Sequence, residues 1–292
     1  MKTDTLIKLN RLFPPVIHPF NLRNDGSKKY SEWEFERGAD TVKYYVGTKY
    51  VPDVKTMLGG LDLLDVGAGA CGKSVYYLTK GANSVTAIDL VASYKNEAEA
   101  LAARFGFSKK FRFEVADAAH MPFDNSSFDA VIMNDAMEHV AEPEHVLKEV
   151  FRVLKPGGRL YVNFPPYAHP YGAHLSDTIS IPWVHLFFDE QTLIAAYKKL
   201  ANDLADGDER INFRISKRSD GTEYFSYINK MTAKRFNMIC KSTNLKRIYY
   251  REVPLRRYLA PLAKFPLTKE AFIRCIVTIF EKSGPTYSDL IK

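Results

Sequence analysis

The sequence predicts an α/β fold in which a mostly parallel sheet is covered by helices on both faces. From residue 61 onward, short apolar runs alternate with helical stretches, and this alternation is typical of a doubly wound sheet. A glycine-rich turn, Gly67-x-Gly69-x-x-Gly72, lies between the first apolar run and the first helical stretch. Glycines at that spacing let the backbone approach a nucleotide at a helix N-terminus. The two observations together predict a nucleotide-binding sheet.

Five apolar runs are assigned to strands. They are Leu61–Val66, Ser84–Leu90, Phe111–Val115, Phe128–Asn134 and Arg159–Phe164. The predicted helices between them include Lys73–Lys80, Asn96–Phe105 and Glu144–Leu154. Ligands of such sheets bind beyond the carboxyl ends of the strands. Side chains at those ends are therefore the first candidates for a functional site.

Residues 1–60 precede the alternating pattern and are predicted to form an N-terminal helical cap. Ser31 is placed to cap a short helix that runs to Gly38, with Glu34 at the position of its capping-box partner. A second helix is predicted over 40–49.

The segment 165–230 interrupts the alternation after the fifth strand. It is rich in Pro, Gly, His and aromatic residues, and a helix is predicted over Asp189–Ala205. Two strands then flank an Asp220-Gly221 turn, which is a good hairpin signal. Long insertions of this kind usually carry binding or closing functions. The segment is therefore predicted to be a substrate-binding lid.

The α/β pattern returns after the insertion, so residues 231–292 are assigned to the sheet domain together with 61–164. A helix is predicted over Thr232–Thr243 and a strand over Arg247–Val253. The segment Thr268–Lys282 places its apolar residues on one helical face, which predicts an amphipathic helix. This helix either packs on its own domain or, with the basic residues before it, docks on an anionic membrane.

Charge is distributed unevenly along the 292 residues. Residues 1–209 contain 23 Lys and Arg and 28 Asp and Glu, whereas residues 210–292 contain 18 and 6. A basic C-terminal third suits an anionic substrate group, an anionic lipid or a nucleic acid, and equally a solvated surface that balances an acidic one. We recognise no RNA-binding module in the sequence, so nucleic acid is the less favoured partner.

The composition also bears on the compartment. The three cysteines, Cys71, Cys240 and Cys275, lack the spacing of a disulfide framework or a metal site. The sequence has no apolar stretch of about 18 uncharged residues and no signal-peptide pattern at its N-terminus. We therefore expect a cytoplasmic protein, with peripheral membrane contact as the alternative.

Acidic residues at three strand ends indicate which nucleoside the glycine turn holds. Asp65 lies two residues before Gly67, where its carboxylate repels a pyrophosphate and attracts a cation. Asp89 ends the second strand, where it can accept from both ribose hydroxyls, although NAD folds have that acid too. Asp117 follows the third strand and can accept from an adenine amino group. The set favours a sulfonium nucleoside over NAD.

The order of these residues resembles that in class I S-adenosylmethionine-dependent methyltransferases. The elements that carry the resemblance are Asp65-Val66-Gly67-Ala68-Gly69, Asp89, Asp117-Ala118, MPFDNSSFDAVI and EHVAEPEHVLKEVFRVLKPGGRLYV. One glycine turn is a weak signal, but the ordered set is specific. The resemblance implies a Rossmann-like, seven-stranded sheet with a reversed last strand, and S-adenosylmethionine as the cofactor.

The resemblance also implies roles for single residues. The positions that match the family's donor-binding residues are Asp65, Gly67, Gly69, Asp89, Leu90, Asp117, Ala118 and Asn134. Asp65, Gly67 and Gly69 would hold the methionine end, Asp89 the ribose and Asp117 the adenine amine. Asn134 would face the methyl group. Cys71 stands where many members have glycine.

A possible metal site follows the fourth strand. Asp135-x-x-Glu138-His139 resembles the Glu-x-x-Glu-His element of quinone-biosynthesis O-methyltransferases, with Asp135 in place of the first Glu. In that family these side chains are linked to a divalent cation, and the oxygen ligands would suit Mg²⁺ or Mn²⁺. The alternative is that Glu138 and His139 belong to an ordinary turn.

Candidate acid–base residues lie at that turn and in the insertion. They are His139, Tyr171, His174 and His185. A histidine can act as a general base near neutral pH, and aromatic residues with a few polar groups suit a pocket for a flat, apolar substrate. We predict that the last three face the methyl group of the donor. The alternative is that the histidines are loop residues bonded to backbone groups.

These observations predict a methyltransferase that acts on a small, partly hydrophobic metabolite, with oxygen as the favoured acceptor atom. One alternative is an anionic acceptor, either a prenyl diphosphate methylated on carbon or an RNA. The other alternative is a noncatalytic scaffold that binds a partner through its basic face. Three acids at the strand ends argue against a scaffold, which has no need of them.

Overall fold

The protein is described here from a computed structural model, which covers residues 2–18, 21, 28–243 and 245–283. The chain divides into two compact units. The sheet unit comprises Tyr30–Phe164, Lys234–Val253 and Cys275–Lys292, and the insertion unit comprises Met1–Lys29, Pro165–Ala233 and Pro254–Arg274. This division departs from the predicted boundaries. The predicted N-terminal cap is split, because residues 1–29 group with the insertion and residues 30–60 with the sheet, and residues 254–274 also group with the insertion.

The sheet has seven strands in the order β3-β2-β1-β4-β5-β9-β8. Their bounds are β1 Asp62–Val66, β2 Ser84–Asp89, β3 Phe111–Val115, β4 Phe128–Asn134, β5 Leu154–Phe164, β8 Leu245–Pro254 and β9 Ile273–Lys282. The first five strands pair in parallel, whereas β9 runs antiparallel to β5. The predicted doubly wound, seven-stranded sheet with a reversed last strand is therefore confirmed.

The predicted amphipathic helix over Thr268–Lys282 is wrong. Only a short 3-10 turn, Lys269–Phe272, precedes β9, and β9 occupies most of that segment. The run from Cys275 to Phe280 is buried at every position, because β9 lies between two other strands and both of its faces are covered. A strand buried on both faces carries a continuous apolar run, and such a run also satisfies a helical spacing.

Seven helices of the sheet unit are described. They are α2 Tyr30–Glu36, α3 Gly38–Val42, α4 Val54–Leu58, α5 Gly72–Thr79, α6 Tyr94–Arg104, α7 Pro143–Val153 and α11 Ala233–Lys241. The predicted helices after β1, β2 and β4 and the helix at Thr232–Thr243 are thus confirmed within about two residues. The helix predicted over 40–49 is wrong, since α3 ends at Val42 and turns follow.

Helix α2 packs directly on the start of α5. A Cβ placed on Gly72 would lie 2.0 Å from the carbonyl oxygen of Ser31 and 2.4 Å from the backbone nitrogen of Phe35. The third glycine of the turn is therefore required by helix packing. The predicted capping box is wrong, because Glu34 accepts a hydrogen bond from the backbone N–H of Gly72 (3.1 Å), while that of Ser31 donates to Glu97.

The insertion unit is mainly helical and has its own core. Its elements are α1 Lys2–Asn10, α8 Val184–Phe187, α9 Glu190–Ala201, α10 Gly207–Arg214 and the antiparallel pair β6 Ile215–Lys217 and β7 Glu223–Phe225. The predicted hairpin around Asp220-Gly221 is confirmed, and α9 matches its predicted helix. The strand predicted before the turn begins late, because residues up to Arg214 belong to α10. Among the described residues, no helix has the length and apolar character needed to cross a membrane.

Buried ion pairs hold α10 in the insertion unit. The Asp177 carboxylate is fully buried and lies 3.1 Å from the Arg214 guanidinium and 3.6 Å from that of Arg210. Tyr197, on α9, donates a hydrogen bond to Asp177 (2.7 Å) and accepts one from Arg214 (3.0 Å). Removing one member of such a network leaves a buried charge uncompensated, so these residues stabilise the insertion unit.

Candidate functional site

The three predicted acids lie along one edge of the sheet. Asp65 is in β1, Asp89 ends β2, and Asp117 follows β3. The strand order places β3, β2 and β1 side by side, and parallel strands end at the same edge. The edge between β1 and β4 is also where the strand order reverses, which is the usual ligand position in open α/β sheets.

The glycine turn between β1 and α5 has a backbone that favours glycine. Gly67 and Gly69 have φ angles of +67° and +56°, a region that residues with a Cβ rarely adopt. A Cβ on Gly67 would also lie 2.7 Å from the Cβ of Ala136 in the loop after β4. Cys71 also adopts a positive φ, +62°, so a residue with a Cβ takes the left-handed conformation at this position.

Asp65 is buried at the N-terminus of α5. Its carboxylate accepts a hydrogen bond from the Ser74 hydroxyl (2.6 Å). Burial raises the pKa of Asp65 to about 6, while Ser74 and Lys73 lower it and Asp89 raises it. An acid with this pKa gains from a nearby cation, because opposite charge favours the ionised form.

Each carboxylate oxygen of Asp89 accepts a hydrogen bond from a backbone N–H. It accepts from the N–H of Gly69 and from that of Val91, both at 2.9 Å, so it ties the glycine turn to the end of β2. A carboxylate has about four acceptor positions, so acceptor capacity remains for a ribose hydroxyl. Burial is the main cause that raises the pKa of Asp89. Leu90, the next residue, is exposed.

Asp117 and Ala118 form a turn after β3. One carboxylate oxygen of Asp117 accepts from the backbone N–H of Ala119 (2.9 Å), and the other lies 3.7 Å from Nδ1 of His120. The residue is exposed, so its second oxygen is accessible to a ligand. This geometry is compatible with the predicted contact to an adenine amino group.

Asn134 is the last residue of β4, and its side chain forms hydrogen bonds with two neighbouring side chains. Its carbonyl oxygen accepts from the Thr41 hydroxyl (2.6 Å), and its amide nitrogen donates to Asp135 (3.0 Å). Thr41 belongs to α3, so the N-terminal helices fix the end of β4 as well as the glycine turn. The prediction that Asn134 faces a methyl group stays a prediction, and the structure gives this residue a role in holding α3 to the sheet.

Glu34, whose position in the sequence predicts a helix cap, lies at this site instead. Its carboxylate is buried on the glycine turn, and a Cβ on Gly69 would lie 3.0 Å from its Oε1 atom. Burial raises the pKa of Glu34 to about 8, with smaller lowering contributions from Lys73 and Gly72. Its helical spacing gave no sign of this contact, because the partner lies 38 residues away.

The acids at this edge fit a cationic nucleoside. Asp65, Asp89 and Glu34 all have pKa values raised by burial, and the nearby cation that lowers two of these values is Lys73. A sulfonium or an ammonium group would favour their ionised forms, whereas a pyrophosphate would be repelled. The residues of the structure therefore fit S-adenosylmethionine better than NAD.

The three predicted metal ligands have different surroundings. Asp135, with φ +51°, accepts from the amides of Asn134 and Asn163 and lies 3.7 Å from Lys73. Glu138 is buried, and Oε1 of Glu138 lies 3.9 Å from Nε2 of His139. Burial, followed by Asp135, raises the pKa of Glu138. The side chains of Glu138 and His139 are thus close to each other, whereas Asp135 contacts two amides and a lysine. The metal site stays a prediction.

His185 is buried beside the backbone and ring of Tyr167, whereas His169 and His174 are half-buried. His185 lies with Nε2 2.7 Å from the Tyr167 carbonyl, so this nitrogen carries the proton and Nδ1 keeps its lone pair. Nδ1 is buried and has no hydrogen-bond partner among the residues that the structure describes. Burial lowers the pKa of His185, which keeps the ring neutral at pH 7.

The other histidines of the insertion, His169 and His174, differ in their environment. His169 accepts from the backbone N–H of Tyr171 (3.1 Å), and burial lowers its pKa to about 4. His174 has φ +53°, and its ring lies edge-on to Tyr227. Roles in catalysis for His139, Tyr171, His174 and His185 stay predictions.

Comparisons with known proteins agree with this geometry. Residues 64–162 match a family model described as a methyltransferase domain. The chain is 35% identical over 100 residues to the chloroplastic tocopherol O-methyltransferase of Arabidopsis thaliana, a match that covers 34% of this chain and 29% of that protein. It is 36% identical over 105 residues to the demethylmenaquinone methyltransferase of Clavibacter sepedonicus, covering 36% and 41%.

A solved structure also has the same fold. Geranyl diphosphate methyltransferase in complex with SAM aligns with a TM-score of 0.52 and 13% identity over 85% of each chain, and at this identity the likeness concerns the fold alone. The sequence matches span less than half the length of the curated relatives, and the match to the family model runs from within β1 to within β5. Residues 64–162 therefore match a methyltransferase domain, and the remainder of the chain lies outside that match.

Proposed function

We propose that the protein transfers a methyl group from S-adenosylmethionine to an oxygen atom of a small, partly hydrophobic acceptor. The observation that carries the proposal is the row of acids at the carboxyl ends of β1, β2 and β3, beside a glycine turn of positive φ. The three thiols of the described chain are unpaired, which suits a reducing compartment such as the cytoplasm.

The residues at the sheet edge bind and orient the donor. S-adenosylmethionine supplies an activated methyl group on a sulfonium centre. Asp65 offers negative charge to its cationic end, and the bound cation favours the ionised form of the neighbouring Glu34. Asp89 accepts hydrogen bonds from its ribose, and Asp117 accepts from its adenine amine. Because the methyl group is already activated, the main tasks of the chain are positioning and exclusion of water.

An oxygen acceptor must lose a proton as the methyl group arrives. A general base supports this step when its pKa lies near the working pH. His185 suits the task, because its Nε2 proton is held by a backbone carbonyl while Nδ1 can accept a proton. We include His139, Tyr171 and His174 as further candidates on the basis of the sequence.

Two measurements test this function. Calorimetry with S-adenosylmethionine should give stoichiometric binding, and a protein that binds no donor would favour the noncatalytic scaffold. Incubation of the protein with labelled donor and a metabolite extract, followed by mass spectrometry, should give a labelled small molecule. Label found only in RNA or in a prenyl diphosphate would overturn the proposed acceptor and leave the donor assignment standing.

A further inference from the structure

The segment between β8 and β9 presents large apolar side chains to solvent. We call residues 255–272 the apolar–basic loop. Its exposed hydrophobic side chains, with their exposed fractions, are Tyr258 (78%), Leu262 (39%), Phe265 (54%) and Leu267 (89%). A concentration of exposed apolar side chains in one segment is typical of a site of interaction.

The backbone of the apolar–basic loop is ordered by its own hydrogen bonds. The N–H of Leu255 donates to the carbonyl of Phe272 (2.9 Å) and closes the base of the loop. Within it, the N–H of Lys269 donates to Phe265 (2.8 Å) and the Thr268 hydroxyl donates to Leu262 (2.8 Å). The outward position of the apolar side chains is therefore a property of a folded segment.

Cationic side chains are interleaved with the apolar ones. The loop contains Arg256, Arg257, Lys264 and Lys269 against the single acid Glu270, and the first three cations are exposed. Apolar side chains flanked by Lys and Arg are typical of segments that lie in the interface of an anionic bilayer. The phosphates of a nucleic acid would pair with these cations, but they would leave the apolar side chains of Phe265 and Leu267 exposed to water.

A second exposed apolar pair lies next to the base of the loop. Leu186 and Phe187 of α8 are 48% and 78% exposed. Trp183 precedes α8, and its Nε1 donates to the carbonyl of Ala271 (3.1 Å). Its ring centroid lies 5.8 Å from that of Phe272. The turn before α8 is thus joined to the apolar–basic loop within the insertion unit.

We propose that the apolar–basic loop docks the protein on a bilayer surface that contains anionic phospholipid. Phe265 and Leu267 enter the headgroup region, while Arg256, Arg257 and Lys264 contact lipid phosphates. The inference goes beyond the proposed reaction and does not depend on it, since all of these residues lie outside the donor site.

Vesicle flotation tests the proposal on the full chain. The protein should float with vesicles of phosphatidylcholine mixed with an equal amount of phosphatidylglycerol, and much less with phosphatidylcholine alone or at high salt. The double variants Phe265→Ser/Leu267→Ser and Arg256→Ala/Arg257→Ala should each weaken vesicle binding by roughly tenfold or more. Matched controls are Met238→Ser and Lys109→Ala/Lys110→Ala, which change exposed residues outside the loop and should bind as wild type.

Each contrary result has a definite meaning. Absence of binding to the anionic vesicles, or wild-type binding by both double variants, would overturn the proposal. Binding to single-stranded RNA that needs the two arginines but not Phe265 and Leu267 would assign the loop to nucleic acid instead. Calorimetry with S-adenosylmethionine on the same variants should give unchanged donor affinity, which separates a failure of docking from a failure of the donor site.

Discussion

Glu34 should make the stability of the protein fall as pH rises, and Glu34→Gln should remove that fall. Burial raises the pKa of this carboxyl from 4.5 to about 8. Between these values the folded protein holds a proton that the unfolded chain has lost. The stabilisation that the protonated Glu34 contributes to the free energy of unfolding is therefore fully present below pH 4.5. It is lost progressively as the pH rises to 8. The loss amounts to about 1.4 kcal/mol per pH unit, hence about 3 kcal/mol by pH 7 and about 5 kcal/mol by pH 8.

Glutamine has the shape of the protonated acid and keeps an oxygen for the N–H of Gly72. The groups that face this position, Lys73, Asp65 and Tyr30, are the same in both proteins, so their own titration largely cancels in the comparison. Urea unfolding at a series of pH values from 5 to 8 gives the free energy of unfolding of each protein. The variant should become more stable than wild type as pH rises.

An exposed residue of the same helix, Glu36, provides the control. Glu36→Gln should give a curve parallel to that of wild type. If Glu34→Gln also runs parallel to wild type across this range, Glu34 is ionised in the folded protein and the burial argument for the glycine turn fails.

The other predictions concern the donor, the metal and the base. Asp89→Ala should weaken donor binding by about 1.5–3 kcal/mol, because a carboxylate that accepts from ribose is lost; unchanged affinity in calorimetry, in a variant whose folding is verified by circular dichroism, would contradict the ribose contact. NAD(H) should show no stoichiometric binding in the same assay. If Glu138 and His139 hold a cation, a chelator should abolish turnover and Mg²⁺ or Mn²⁺ should restore it. Full activity in excess chelator would instead favour the alternative that these residues belong to an ordinary turn. His185→Ala should lower turnover with donor affinity nearly unchanged, because a base acts in the transition state; wild-type turnover would remove His185 from the reaction.

The sheet could be predicted from sequence because its signals are local. Each parallel strand is a short apolar run, and each strand end carries an acid or an amide at a position that the run itself defines. The same local reasoning failed at β9, where six consecutive buried residues from Cys275 to Phe280 fit either a strand or a helix face. The choice between them depended on the neighbouring strands β5 and β8, which local spacing does not reveal.

The contacts of the N-terminal helices could not be predicted for a related reason. Glu34 and Thr41 bind Gly72 and Asn134, which lie far along the chain. Local spacing predicts that Glu34 belongs to a capping box, but in the structure its carboxylate accepts a hydrogen bond from the distant glycine turn. The glycine at position 72 fitted a nucleotide motif, and the structure assigns it to helix packing.

The position of β9 has a consequence for how the sheet can form during synthesis. It is the last strand of the described chain, yet it lies between β5 and β8. Until it is made, β5 has an unpaired edge and β8 lacks the neighbour that joins it to the sheet, and such edges are open to pairing with other chains. A chain cut before Ile273 would therefore lose an interior strand, and we expect it to aggregate during expression.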